Sequence, residues 1–220
     1  SASHLMVWPD DGKVMALVES GPFLAGADRR PAWEQGFYLD LHPVTNAEYA
    51  RFAAVTGQRT PAHWPNGRCP ESLLNHPVVG VDAHDADRYA EWAGKRLPTG
   101  PQWEKAARGV DGAVLPWGTA ADGPARCNVR ESGVGTTTPV DRYPDGVSPW
   151  GVYDLCGNVW EWCATVTAPG RRELKGGAYS TPLARATPSG FTDARFDASR
   201  RDVGFRCAVG VAEVVAMLSV

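Results

Sequence analysis

The hydrophobic pattern changes period several times along the chain. Val14-Met15-Ala16-Leu17-Val18 and Phe37-Tyr38-Leu39 are short apolar runs bounded by Gly, Pro and charged residues, which predicts strands, with Ser20 to Gln35 as loop between them. Thr45 with Glu48 three residues later predicts a capped helix to about Val55, stopped by Gly57 and burying Tyr49, Phe52 and Ala53. Asp82 to Lys95 places Ala86, Tyr89, Ala90 and Ala93 on one stripe with Gly94 near its end, a second helix. Thr99-Gly100-Pro101-Gln102 caps a third, with Trp103, Ala106 and Ala107 inward. From Gly109 to Pro149 no helical period survives, and the expectation is a long ordered loop with small strands. Tyr153 to Trp162 follows, then two strand-like stretches, Glu173 to Tyr179 and Val203 to Val209. Helices first and strands after predict an α+β domain rather than alternating βαβ units.

Composition sharpens this picture. With 24 Gly and 18 Pro in 220 residues, the chain is too rich in turn formers for a helical bundle and reads as one loop-rich domain over 7–220. Ser1 to Met6 reads as a cloning remnant ahead of a native start near Val7. The balance of 22 Lys+Arg against 25 Asp+Glu provides no basic field for a phosphate backbone, so no nucleic-acid partner is expected. Apolar runs stop short of a bilayer's width, so no membrane insertion is expected. Five cysteines, an odd and scattered set without a CxxC, argue against a disulfide scaffold and a structural zinc site. That usage makes the cytoplasm the default compartment and leaves surface display open.

Two stretches carry candidate chemistry. Tyr153 to Trp162 packs two Trp, a Gly-Asn turn and the carboxylates of Asp154 and Glu161 into ten residues. The carboxylates with intervening carbonyls offer hard oxygen ligands for calcium; equally, Asn158 and Glu161 could bond backbone while Trp160 and Trp162 fill core. The second stretch lies between Gly176-Gly177 and Gly204-Phe205-Arg206. It contains no Cys, His, Lys or Glu, but Tyr179, Ser180, Thr181, Leu183, Arg185, Thr187, Ser189, Phe191, Thr192, Asp193, Arg195 and Phe196. Hydroxyls, aromatics and arginine in this mixture suit either a recognition surface or an ordinary polar loop over a core.

Five motifs in order carry a resemblance over roughly Val14 to Val209. They are Phe37-Tyr38-Leu39-Asp40 with Pro43-Val44-Thr45-Asn46; Arg96-Leu97-Pro98-Thr99 with Trp103-Glu104; Gly157 to Trp162; Gly176-Gly177; and Gly204-Phe205-Arg206-Cys207-Ala208. The chain resembles the formylglycine-generating enzyme (sulfatase-modifying factor) family, which implies that family's loop-rich variant of the C-type lectin fold. The resemblance implies calcium (Ca2+) at the positions matching Asp154, Gly157, Val159 and Glu161, and a partial match to a second calcium site at Asn128 and Val129. It also places the family's two copper-binding cysteines at Thr181 and Ala186, and a neighbouring serine at Ala178. Neither Thr nor Ala can ligate copper(I) or form a mixed disulfide with a substrate cysteine, so no copper is expected. The family branch that uses non-haem iron holds it with histidines in an added helical domain; Asp82 to Lys95 offers only His84, and no iron is expected either. Cys207 in the terminal strand reads as a small buried hydrophobe.

The reading that follows is a non-catalytic module binding a protein or small-molecule ligand through residues 178–202. Variable proteins of diversity-generating retroelements use the same scaffold and carry their diversified residues in this window, so a diversified segment is a further expectation. Two alternatives stand beside it: an oxygen-dependent oxidase or oxygenase of the family with a relocated site, and a regulatory domain joined to another domain such as a kinase.

Overall fold

The computed structural model describes residues 4–118 and 122–218. Three helices form where the sequence places them. α1 (Asn46–Thr56) starts with the Thr45 hydroxyl accepting the Glu48 amide and ends at Gly57 with φ 72°. α2 (Ala83–Trp92) and α3 (Gly100–Arg108) each open on a reciprocal capping box, Asp82 with Asp85 and Thr99 with Gln102. Tyr49, Tyr89, Ala86, Trp103, Ala106 and Ala107 are completely buried.

The strands divide into three sheets. The first is antiparallel and joins β1 (Leu5–Val7), β2 (Val14–Val18), β5 (Phe37–Asp40) and β10 (Ala208–Gly210) in the order β1-β2-β5-β10. Leu5 and Met6 pair with Ala16 and Met15, so part of the segment read as a cloning remnant takes part in the fold. The second is a hairpin, β3 (Gly21–Ala25) with β4 (Arg30–Glu34), where the sequence predicts a loop. Phe23 is its one deeply buried large side chain and Trp33 is exposed, so little alternation marks it. Buried side chains of α3 hold its backbone instead: Lys105 Nζ donates to the Glu19 and Gly21 carbonyls, Arg108 donates to the Gly26 carbonyl, and Glu104 accepts the Gly26 amide.

The third sheet has the order β8-β7-β6-β9, built from β6 (Trp160–Ala168), β7 (Arg171–Lys175), β8 (Phe191–Arg195) and β9 (Val203–Gly204). β9 lies parallel to β6 and the other pairs are antiparallel. Val203 to Val209 is therefore two short strands in different sheets, joined by Phe205-Arg206-Cys207. Between α3 and β6 the described residues form no strand, only the isolated bridges Leu115↔Gly118 and Asn128↔Gly157, the one-turn helix α4 (Gly123–Arg126) and short 3-10 turns. The polar, Gly- and Pro-rich composition of this stretch supplies turns but no strand-length apolar run. A last helix, α5 (Val211–Leu218), follows β10. No helix among the described residues is long and apolar enough to cross a membrane.

The main core gathers Tyr49, Phe52, Tyr89, Trp162, Val203 and Phe205, and a second cluster places Trp103 and Ala107 beneath the first sheet. Arg206, 0% exposed, fastens the two strand systems together. Its Nε and Nη2 donate to the two Glu161 oxygens at 2.8 and 2.7 Å, and it reaches the carbonyls of Asp40 and Tyr153 at 3.1 and 2.8 Å. Nearby, Lys95 Nζ is held by Asp11 at 2.7 Å and Asp40 at 2.8 Å with all three side chains fully buried. Burial works against the Lys95 charge, but Asp40 and Asp11 outweigh it and raise its pKa above the ordinary lysine value.

Candidate functional site

β7 is followed at once by Gly176 and Gly177, both with positive φ, at 95° and 71°. A Cβ on Gly176 would sit 2.9 Å from the Trp103 indole, so the chain turns flush against α3. A Cβ on Gly177 would lie 2.6 Å from the Ala186 Cβ and 3.2 Å from Thr181 Cγ2. Gly177 is thus the space between positions 181 and 186, and the fold brings the two together. Thr181 is 8% exposed; its hydroxyl accepts the Ala178 amide at 3.0 Å while its own amide donates to the Ala178 carbonyl. Ala186 and Ala178 are wholly buried. A methyl, a hydroxyl engaged in a turn and a Cβ therefore fill the place where thiolates would stand.

A cleft of about 350 Å³ opens above this pair. Ser180, Thr181, Pro182 and Arg185 form one side, Thr192 of β8 another, and Trp160, 6% exposed, lines it from β6. Arg130, Arg200 and Asp202 complete it. The Arg130 amide donates to the Thr181 carbonyl at 3.0 Å, which brings that loop against the 178–186 turn. Arg200 forks onto Asp202, Nε to Oδ1 at 2.9 Å and Nη2 to Oδ2 at 2.7 Å.

Of the residues expected on a recognition surface, Ser180, Thr181, Arg185 and Thr192 line the cleft. Phe191 stands 63% exposed on β8, and Tyr179 is half-buried with its amide on the Asn158 carbonyl. Leu183 instead packs onto the Cys127, Val129 and Ala186 cluster, with its amide donating to Glu131. Thr187 and Ser189 are half-buried in the turn before β8, where the Thr187 carbonyl accepts the Gly190 amide. Asp193 is tied by Arg171 and Thr167, and the Arg171 hydrogen bond keeps its carboxyl below the usual range. Arg195 is paired with Asp197, and the Phe196 ring lies 5.1 Å from the Arg172 guanidinium and edge-on to His84. Sequence reasoning missed Arg130 and Trp160 as lining residues, and it included Arg200 and Asp202 only as part of the 178–202 segment without singling them out. No periodicity or motif marks these residues, because the tertiary fold brings them to the cleft.

The residues matched to calcium were tested against the geometry. Both Glu161 oxygens are committed: Arg206 takes both, and Trp103 Nε1–H donates to Oε2 at 2.7 Å. Asp154, with φ 55°, accepts from Asn158 Nδ2 at 2.8 Å through Oδ2, while its buried Oδ1 has no hydrogen-bond partner in the protein. Burial pushes the Asp154 pKa up to about 7 in spite of that bond and of Arg206. The Gly157 carbonyl accepts the Val159 amide, and Val159 itself is buried. Asn128 Nδ2 bonds the Thr136 carbonyl, leaving its buried Oδ1 unpartnered, and Val129 faces the Cys127 cluster. Calcium takes 6 to 8 oxygens, with charge among them. Glu161 is held by Arg206 and Trp103, and the unpartnered buried oxygens of the two sets are Asp154 Oδ1 and Asn128 Oδ1.

Among the described residues no three His, Cys, Asp or Glu side chains gather as a metal site. No cysteine lines the cleft: Cys127, Cys156, Cys163 and Cys207 are buried, and burial pushes the Cys163 and Cys207 thiols up.

Fold and site together define a formylglycine-generating-enzyme type of C-type-lectin-like scaffold with its thiol pair replaced. The chain matches the sulfatase-modifying factor enzyme 1-like domain over residues 7–211 and belongs to that family. It is 36% identical over 173 residues to the serine/threonine-protein kinase pkn1 of Chlamydia caviae, covering 68% of this chain and 27% of the kinase. It therefore spans about a quarter of that relative's length. It is 30% identical to the inactive C-alpha-formylglycine-generating enzyme 2 of Mus musculus, covering 94% of this chain and 89% of that protein. Among solved structures, Treponema denticola variable protein 1 shares the fold with a TM-score of 0.74 at 16% identity, covering 94% of this chain and 98% of that one.

Proposed function

We propose that this domain is a non-catalytic binding module that takes a protein or small-molecule ligand in the cleft over Thr181, with Tyr179, Arg185 and Phe191 contributing contacts. The observation that carries this reading is the packing of Thr181 and Ala186 around Gly177: the framework that would hold a thiol pair is kept, its chemistry is absent, and the space above it stays open. Similarity to a protein described as inactive supports it, as does a shared fold with a protein described as variable. The test is a screen of a displayed random heptapeptide library and a small-molecule collection against the chain. A ligand whose affinity falls in Arg185→Ala and Phe191→Ala, with melting temperature held, is the expected outcome; ligands indifferent to both variants would sink the reading. Incubation with copper(I), oxygen and a cysteine peptide should leave that peptide without an aldehyde.

Two finer readings rest on particular observations. A diversified 178–202 segment fits exposed Ser180, Ala184, Arg185 and Phe191 on a fixed frame. An adjacent imperfect repeat of the 176–208 coding DNA, differing only opposite adenines, would establish it, and its absence would remove it. A regulatory role beside another domain is favoured by the match to a kinase several times longer than the matched segment.

A further inference from the structure

Arg130 and Arg185 both border the cleft, both are exposed, and neither guanidinium is engaged in an ion pair or side-chain hydrogen bond among the described residues. The third arginine, Arg200, is matched by Asp202, the one carboxylate of the lining. Three cations against one anion leave the cleft at +2 on a chain whose formal charge is −3. Elsewhere, Arg171, Arg195 and Arg126 are paired with Asp193, Asp197 and Asp122, while exposed Arg29, Arg68 and Arg201 form no ion pair among the described residues. What sets the cleft apart is that two unpaired guanidinium forks border one concave site, a local positive excess on a net acidic chain.

The local backbone selects among anions. A phosphate is best held by several free amides, but here the amides of Tyr179, Thr181, Leu183, Arg185 and Ala186 are already bonded and Pro182 has none, so residues 179–183 leave only the Ser180 amide for an anion. Planar carboxylates match guanidinium forks without amide help. Half-buried Tyr179 and exposed Phe191 beside the cleft offer contact area to flanking residues.

We infer that the cleft recognises an acidic protein segment, gripping an Asp or Glu carboxylate between Arg130 and Arg185; this rests on the binding reading above and gives it a ligand class. The experiment extends the heptapeptide screen. The best peptide is synthesised with its Asp and Glu replaced by Asn and Gln, and both are titrated calorimetrically into wild type, Arg130→Gln, Arg185→Gln and Arg30→Gln. Selected peptides should be acidic, the neutral twin about tenfold weaker or worse, and Arg130→Gln and Arg185→Gln each weakened by about tenfold, the size expected for one charge-assisted fork. Arg30→Gln, on β4 outside the cleft and paired with Asp28, should bind as wild type, and affinity should fall as salt rises. Equal binding of the twins, indifference of both cleft variants, or inorganic phosphate displacing the peptide at lower concentration than acetate would overturn the inference. Neutral peptides that still depend on Arg185 and Phe191 would leave the binding reading standing and remove this one; a screen with no cleft-dependent ligand would remove both.

Discussion

Asp154 holds a left-handed backbone and a buried carboxyl whose pKa is pushed to about 7. In the unfolded chain the same group titrates near 4, so between about pH 4 and 7 the folded state holds the extra proton. Stability from this group is present below the unfolded value and is lost as pH rises through about 7, to a total of a few kcal/mol. Asp154→Asn, which tolerates the same φ, should melt like wild type near pH 4 and above it at pH 8, as thermal melts across that range will show. At this scale the sequence is plain about identity and silent about partners. That Thr181 and Ala186 carry no thiol is read directly, whereas Thr181 being 8% exposed, with its hydroxyl on Ala178, is a consequence of Gly177 closing the turn. Glu161 is plain as a carboxylate in the sequence, whereas its pairing with Arg206 is not.

The helices were legible because their signals are local. A cap, a stripe three or four residues apart and a terminal glycine lie within a dozen positions, and each is realised in α1, α2 and α3. Removing one cap should show its value: Thr99→Ala, which deprives the Gln102 amide of its acceptor, is expected to cost about 1 kcal/mol in denaturant unfolding. The β3–β4 hairpin was not legible for the opposite reason. Its residues carry little alternation, and its backbone is fixed by Lys105, Arg108 and Glu104, some eighty positions away. β8 was hidden likewise, since Phe191 to Arg195 reads as polar loop until it pairs with β7. That pairing spends Asp193 on Arg171 and leaves Arg185, Phe191 and the Asp197-paired Arg195 as the exposed large side chains of the expected surface.

Across the molecule, Arg206 ties β10's approach to β6 by way of Glu161, to the last carbonyl of β5 and to the carbonyl before Asp154. Replacing it with Met leaves a buried carboxylate with only Trp103 for company, a change of the kind that costs about 3 to 5 kcal/mol. Arg206→Met should therefore lower the denaturant midpoint of the whole domain in one transition; a variant as stable as wild type would remove Arg206 from this role. The same long reach governs the site. Residue order and short-range pattern determined the family, the α+β class, three capped helices, the glycine anchors and the absence of thiols at 181 and 186, because each is written in identity or in spacing of a few residues. Tertiary structure alone decided the hairpin, the split of Val203 to Val209 between two sheets, the closure of Glu161 by Arg206 and the arrival of Arg130 and Trp160 at the cleft. These depend on contacts between segments far apart in the chain, where no local period records which side chain will meet which.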